Sequence, residues 1–164
     1  MLPLFQQYPL LARRLPHVAL GDFPTPVQPL KTFGEAIGAP QLFVKRDDLS
    51  GLLYGGNKVR KLEFLLARAK LGGAQEVITF GGAGSNHALA TAIYAREMGL
   101  GCISMVVPQP NAHAVRRNLL MSYAAGAQLH QQNNEALLVA DVLRRLVARK
   151  LARDQPPQHV GDQQ

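Results

Sequence analysis

The sequence has little of what marks secreted or membrane proteins. Cys102 is its one cysteine, tryptophan is absent, and 6% of the 164 residues are aromatic. No internal disulfide is possible, and the apolar run around Cys102 predicts a core residue rather than a nucleophile. No apolar run approaches the roughly 20 residues that cross a bilayer. Arg13 and Arg14 follow an apolar stretch, the reverse of the order in a secretion signal. We expect a cytoplasmic protein with no membrane contact.

Acidic residues are also scarce, with 11 Asp and Glu against 18 Lys and Arg and a net charge of +7. Such an excess sometimes indicates a nucleic-acid partner. In the last predicted helix, however, the cations lie opposite the apolar residues, which favours a solvated or partner-facing surface. The histidines lack the paired spacing of metal ligands. We therefore predict binding of neither nucleic acid nor metal.

The order of apolar segments predicts alternating strands and helices after a proline-rich loop. Parallel strands need long crossovers, which helices supply, so the expected class is α/β with a parallel sheet and helices on both faces. Residues 1–153 are predicted to form one domain, and the polar residues 154–164 a disordered tail. The predicted strands are Gln41–Lys45, Glu76–Phe80, Cys102–Val107 and Ala127–His130. The predicted helices are Asn57–Leu71, Ala88–Met98, Ala112–Ala124 and Asn134–Arg153.

The first motif with chemical potential is GGNKVRKLEF, from Gly55 to Phe64. Its two glycines permit close backbone approach to a ligand just before Lys58, at a predicted helix start. Arg60, Lys61 and the positive end of the helix favour the neutral amine of Lys58, the form that makes a Schiff base. Taken alone, the motif more often marks a solvated lysine.

The second motif is FGGAGSNHA, from Phe80 to Ala88, a glycine loop between a predicted strand and a predicted helix. Free backbone N–H groups and the helix dipole at such a loop attract phosphate or carboxylate. Ser85, Asn86 and His87 add side-chain donors there. A tight turn in which Ser85 or Asn86 merely caps the helix is an equally good interpretation of this loop alone.

Two better-known phosphate motifs do not fit. A dinucleotide fingerprint that starts at Gly82 needs a third glycine where His87 stands. Gly51 and Gly56 have the spacing of a P-loop, but Asn57 occupies the position of its lysine. The sequence thus argues against a nicotinamide cofactor and against a nucleotide triphosphatase.

Together these segments resemble the aminocyclopropane-carboxylate deaminase and D-cysteine desulfhydrase family of fold-type-II pyridoxal-phosphate enzymes. The resemblance covers about Tyr8 to His130 and is carried by LFVKRDDLSGLLYGGNKVRKLEFLL and GGAGSNHALATAIYAREMGL. It implies a tryptophan synthase beta-like fold and pyridoxal 5'-phosphate as the cofactor.

The resemblance also implies roles for single residues. Lys58 holds the cofactor as a Schiff base, and Lys58 and Ser85 are the catalytic residues. Asn86 lies beside the cofactor ring and its phenolic oxygen, and Lys61 approaches the phosphate. Ser85, Asn86 and His87 bind the substrate carboxylate.

The implied substrate is a small amino acid, which displaces Lys58 so that the freed amine can move protons at the substrate carbons. From a D-cysteine type of substrate this chemistry releases sulfide, pyruvate and ammonia. From 1-aminocyclopropane-1-carboxylate it opens the ring and yields a keto acid and ammonia. The full-length family also implies a homo-oligomer.

The chain has about half the length usual in that family, whose members continue into a second glycine-rich loop and aromatic pocket residues. We expect a fragment that has little activity alone; completion by a second chain is the alternative. Two other functions stay open. One is a non-catalytic remnant that serves as a binding or assembly module, and the less favoured one is a basic nucleic-acid binder.

Overall fold

The computed structural model describes residues 2–133, 137 and 139–146. Strands β3, β4 and β5 form a three-stranded parallel sheet in that order, and β1 and β2 form a separate antiparallel pair. The predicted α/β class and parallel sheet are confirmed. The strands are β1 Val27–Pro29, β2 Phe43–Lys45, β3 Glu76–Gly82, β4 Gly101–Val107 and β5 Gln128–Gln131. The helices are α1 Pro3–Gln7, α2 Pro9–Arg14, α3 Lys31–Ala36, α4 Lys58–Leu71, α5 Asn86–Glu97 and α6 His113–Ala124, with a 3-10 turn at Asp47–Leu49.

The sheet has an apolar core on each face because successive strand residues point to opposite sides. On one face Cys102 packs with the buried side chains of α4 and α5. On the other, Ile103 and Met105 pack against Val142, which lies within the helical residues 139–146. Helices therefore cover both faces, as predicted, and Cys102 is a core residue whose thiol pKa is raised by burial.

The central helix of the first face is α5, which packs against α4 and α6. Residues 88–95 of α5 are all buried, and alanines there allow its neighbours to approach closely. α5 and α6 each connect two parallel strands of the sheet and run opposite to them, and α4 ends just before β3 begins. Their N-termini therefore lie at the carboxyl end of the sheet, where ligands bind in open α/β folds.

Most predicted boundaries lie within two residues of the observed ones. β3 continues to Gly82, and α5 begins at Asn86, two residues before the predicted start. Asn57 occupies the N-cap position of α4, but its side chain makes no capping hydrogen bond. The sequence does not predict the short helices α1, α2 and α3, since each is too short to show helical periodicity.

The last predicted helix is only partly within the described residues. Leu146, expected on the apolar face, is half exposed, whereas Arg145, expected in water, bonds Asp141 and His130. The predicted end of this helix and the predicted tail at 154–164 lie outside the described residues.

Over the residues that the structure describes, no helix is both long and apolar enough to cross a membrane.

Candidate functional site

The N-termini of α4 and α5 bring the two sequence motifs together. Lys58 is the first residue of α4 and partly buried, and Lys61 is exposed one turn later. His87 lies in the first turn of α5. Its pKa is lowered by burial and by the positive charges of Lys58 and Lys61.

Ser50 organises the loop that leads into Lys58. Its side chain is completely buried, and its hydroxyl donates to the Asp47 carbonyl at 2.7 Å. The same oxygen accepts the Gly56 N–H at 3.0 Å. Gly56 has a φ of 145°, a value that residues with a side chain rarely adopt. The hydrogen bonds of Ser50 thus fix the backbone conformation of the loop before α4.

Gly55 is needed for a reason that differs from the one the sequence suggested. A Cβ built on Gly55 would stand 1.8 Å from the Asp48 carbonyl oxygen. The close backbone approach predicted for this glycine is therefore an approach to the chain's own backbone. It fixes the entry to α4, and with it the position of Lys58.

Arg60 is not the unpaired cation that the motif suggested beside Lys58. Its guanidinium donates to both carboxylate oxygens of Asp47, at 2.7 and 3.1 Å. It also lies 4.3 Å from the centroid of the Phe23 ring. The hydrogen bonds from Arg60 lower the pKa of Asp47, so the two side chains stay charged and their opposite charges neutralise each other. Lys61 is thus the neighbouring cation that points into solvent at this helix end.

Glu63 ties the first turns of α4 to the N-terminal segment. Its carboxylate is buried and accepts hydrogen bonds from His17 Nε2 at 3.0 Å and from the Leu20 N–H at 3.0 Å. It accepts a third from the Gly21 N–H at 3.2 Å. A buried carboxylate needs such partners, so Glu63 holds α4 against the N-terminal segment.

The glycine loop of the second motif is shaped by Ser85. The Ser85 Oγ accepts the Ala88 N–H at 3.2 Å and so caps α5. A Cβ on Gly81 would meet this hydroxyl at 2.6 Å, so glycine is required at that position. Ser85 is thus the N-cap of α5. Because the oxygen is the acceptor in this bond, the Ser85 hydroxyl hydrogen stays available to a ligand.

Two residues that sequence reasoning missed hold the other side of the loop. Gln109 Oε1 accepts the Gly84 N–H at 2.6 Å. Asn118 Nδ2 donates to the Gly84 carbonyl at 2.9 Å and to Asn86 Oδ1 at 2.8 Å. Asn118 is buried in α6, and no local pattern in the sequence distinguishes it from a solvated asparagine.

The donors at this helix end suit an anionic ligand. The first N–H groups of a helix, here those of Asn86 and His87, have no intrahelical acceptor. Asn86 is exposed and its oxygen is occupied by Asn118, so its amide N–H₂ is the group that it offers. His87 Nδ1 is buried without a partner among the described residues. The part of the chain that the structure describes also contains no group of three or more His, Cys, Asp or Glu residues that could hold a metal ion.

The amine of Lys58 next to this anion site fits a cofactor that carries both an aldehyde and a phosphate. A family model described as "Pyridoxal-phosphate dependent enzyme" matches residues 18–163. The chain belongs to this family. The cofactor expected from the sequence resemblance, pyridoxal phosphate, is the family's cofactor.

Curated relatives of the chain have two kinds of name. A Nocardia uniformis subsp. tsuyamanensis protein named Nocardicin C-9' epimerase is 41% identical over 70% of this chain and 34% of its own length. A putative 1-aminocyclopropane-1-carboxylate deaminase of Pyrococcus abyssi is 47% identical over 57% of this chain and 28% of its own length. One of Thermotoga maritima, with the same name, is 43% identical over 68% and 35%.

A solved structure described as an ACC deaminase homologue superposes with a TM-score of 0.74 and 34% identity. The superposed region is 94% of this chain and 45% of the chain of that structure. The family resemblance and the fold expected from it are therefore confirmed. The chain spans about a third of the length of these three curated relatives.

Proposed function

We propose that this chain carries the cofactor lysine and the anion-binding helix end of a deaminase or desulfhydrase that acts on a small amino acid. D-cysteine and 1-aminocyclopropane-1-carboxylate are the substrate types that we favour. The observation that carries the proposal is the packing of α4 against α5, with Lys58 as the first residue of one helix and the Ser85–His87 segment at the start of the other. The names of the deaminase relatives support the reaction.

In this proposal Lys58 holds the cofactor and, once displaced by substrate, moves protons at the substrate carbons. Bound pyridoxal phosphate supplies an electron sink that acidifies those carbons. Lys61 attracts the phosphate, and the Asn86 amide donates to the phenolic oxygen of the ring. Ser85, Asn86 and His87 bind the substrate carboxylate through their side chains and the free N–H groups at the start of α5.

The hydroxyl of Ser85 has a further part in catalysis under this proposal. As the cap of α5 it is fixed in place, and its hydrogen can be given to the substrate. The full enzyme is expected to be a cytoplasmic homo-oligomer. The non-catalytic assembly module is the alternative outside enzyme chemistry, and it predicts a chain that binds partners but no cofactor.

Epimerisation is a second candidate reaction, because the Nocardia relative bears that name. In either reaction the amine of Lys58 can remove a proton from a substrate carbon and return it. The two reactions differ in their products. A deaminase releases ammonia, whereas an epimerase returns the same molecule with inverted configuration.

The test starts with cofactor attachment. Purified chain is mixed with pyridoxal phosphate, reduced with borohydride, digested and mapped by mass spectrometry. We expect the reduced cofactor on Lys58, loss of the label in Lys58→Ala, and an unchanged position in the controls Lys61→Ala and Lys45→Ala. A label on Lys61 or Lys45 in the parent chain would overturn the assignment.

The second step distinguishes the reactions. The chain is extended with the C-terminal region of the Pyrococcus abyssi relative and offered D-cysteine, 1-aminocyclopropane-1-carboxylate, or a chiral amino acid in deuterated water. Sulfide or keto acid with ammonia supports the deaminase class. Deuterium at an inverted carbon without ammonia supports the epimerase.

A further inference from the structure

Gln109 lies in the loop after β4 and is exposed, yet its backbone and its carboxamide are both restrained. Pro108 and Pro110 flank it. Proline fixes its own φ and keeps the residue before it in extended backbone, so Gln109 has little backbone freedom. Its Oε1 accepts the Gly84 N–H at 2.6 Å. Gln109 therefore presents its carboxamide to the glycine loop in a fixed orientation.

Two glycines of the loop leave room for this carboxamide. A Cβ built on Gly82 would stand 2.7 Å from both Nε2 and Oε1 of Gln109, so the carboxamide lies over this glycine. A Cβ on Gly84 would stand 3.1 Å from Oε1 and 2.8 Å from a methyl group of Val115. Neither glycine has a positive φ, so backbone conformation does not require them. The space that Gln109 occupies accounts for Gly82, and Gln109 and Val115 together account for Gly84.

The bond to Gly84 determines which group Gln109 offers to a ligand. Only the carboxamide oxygen can accept an N–H, so Oε1 is on the side of the loop and the N–H₂ group is the free end. Among the described residues Nε2 donates to no acceptor. Gly84 lies two residues before Asn86, the first residue of α5. Gln109 therefore adds two donor hydrogens beside the start of this helix.

A carboxylate ligand needs donors from more than one direction. Its two oxygens have about four lone-pair sites between them. In the proposed site the Ser85 hydroxyl and the free N–H groups of Asn86 and His87 all come from the start of α5. A donor on a different element can fill lone pairs that this helix end does not reach. Gln109 is such a donor, since the loop after β4 carries it.

We propose that Gln109 is a further substrate-binding residue, whose carboxamide N–H₂ donates to the substrate carboxylate while its oxygen holds the glycine loop. The inference rests on the proposed function, in which an amino acid binds at the start of α5. Gln109 then selects amino acids over amines that have no carboxylate. The alternative is that Gln109 only supports the loop.

Two substitutions at Gln109 distinguish these roles. Gln109→Glu keeps an oxygen that accepts the Gly84 N–H but replaces the N–H₂ group by a charged oxygen. Gln109→Met has a similar length and neither polar atom. Gln109→Met is the more harmful change if Gln109 only supports the loop. Gln109→Glu is the more harmful one if Gln109 binds a carboxylate, because like charges repel. Gln128→Glu, at an exposed position at the start of β5, controls for net charge.

The first measurement uses the extended chain loaded with pyridoxal phosphate. Glycine has a carboxylate and methylamine has none, and each is titrated while the absorbance of the cofactor is followed. We expect Gln109→Glu to raise the Kd for glycine about tenfold or more, and Gln109→Met to raise it about threefold. Gln128→Glu should leave it unchanged. The Kd for methylamine should stay within about twofold of the parent value in all variants, since no carboxylate is bound.

The second measurement needs no cofactor, so it separates this inference from the proposed function. The nitrogen-15-labelled 164-residue chain is titrated with acetate and followed by NMR. We expect the side-chain N–H₂ signal of Gln109, identified by its loss in Gln109→Met, to shift with the same Kd as the backbone amides of Asn86 and His87. If acetate binds in this way but the cofactor does not attach to Lys58, the proposed function fails and the carboxylate role of Gln109 stands.

Gly82→Ala tests the position of the carboxamide. The new methyl group would displace the Gln109 side chain, so the Kd for glycine should rise about as much as in Gln109→Met. The double variant should bind glycine no more weakly than Gln109→Met, because both changes remove the same contact. Three results would overturn the inference: greater harm from Gln109→Met than from Gln109→Glu, equal losses for glycine and methylamine, or an acetate titration that leaves the Gln109 signal unmoved.

Discussion

Asn118 donates one side-chain amide group to two acceptors of the glycine loop, Asn86 Oδ1 at 2.8 Å and the Gly84 carbonyl at 2.9 Å. Both bonds require the N–H₂ group of Asn118, so its orientation is fixed by its surroundings. The bond to Asn86 in turn leaves the N–H₂ group of Asn86 facing outward. In the proposed site this group is the donor to the cofactor, which makes Asn118 a positioning residue.

Removing either asparagine should weaken cofactor binding. Loss of one hydrogen bond costs about 0.5–1.5 kcal/mol, so Asn86→Ala and Asn118→Ala should each raise the Kd for pyridoxal phosphate roughly twofold to tenfold. Because Asn118 acts through Asn86, the double variant should bind no more weakly than Asn86→Ala. Absorbance titration measures the Kd, with the exposed Asn111→Ala as control. Independent, additive losses would contradict this coupling.

The two roles of Ser85 can be separated by substitution. Ser85→Ala removes both the cap and the hydroxyl, and loss of a cap costs about 1 kcal/mol. Ser85→Asn keeps a capping oxygen but has no hydroxyl. In the chain extended to full length, we expect both variants to lose turnover while keeping the cofactor spectrum, and only Ser85→Ala to lose stability toward urea. Normal turnover in Ser85→Asn would show that Ser85 acts only as the cap of α5 and has no part in catalysis.

The elements that the sequence predicts well are those encoded by local periodicity. The parallel strands and α4, α5 and α6 lie close to their predicted bounds, because apolar spacing and the glycines after α4 act over a few residues. The same local pattern correctly places the N-cap of α4 at Asn57. It does not reveal that Ser50, not the side chain of Asn57, organises this helix start.

What the sequence does not predict are bonds between distant residues. Asn118 and Asn86 are 32 positions apart, and Arg60 and Asp47 are 13 apart. Neither pair has a local signature, so the motif alone suggests an unpaired cation at Arg60. The family resemblance locates the glycine loops, but only the folded chain shows that Gly55 is required by a contact with Asp48.

Replacement of Gly55 tests that contact. In Gly55→Ala the new methyl group would stand 1.8 Å from the Asp48 carbonyl oxygen, so the backbone must move. We expect a loss of at least about 2 kcal/mol in the free energy of unfolding, together with weaker cofactor trapping at Lys58. Gly72→Ala is the control, since the nearest atom to its new methyl group would be 3.4 Å away. Similar urea midpoints for the two variants would contradict the proposed packing.

The Asp47–Arg60 pair predicts how stability depends on pH. The pKa of Asp47 is lowered in the fold, first by its hydrogen bonds with Arg60 and further by Thr25, against the opposing effect of burial. The unfolded chain therefore binds the proton more tightly than the fold does. The stabilisation is complete above the unfolded pKa of about 4 and is lost as the pH falls through the lower pKa of the fold.

Asp47→Asn should therefore destabilise the chain by about 1–2 kcal/mol at pH 7, since the Arg60 side chain is partly exposed and water screens the pair. The difference from the parent should shrink as the pH falls below about 4, because the unfolded parent then takes up a proton that the fold excludes. Urea unfolding at pH 7 and pH 3 measures it. Asp48→Asn is the matched control, since Asp48 pairs with Arg46 at an exposed site and should have a smaller effect at pH 7. A difference between parent and Asp47→Asn that stays constant from pH 7 to pH 3 would mean that packing around Asp47, rather than its charge, provides the stabilisation.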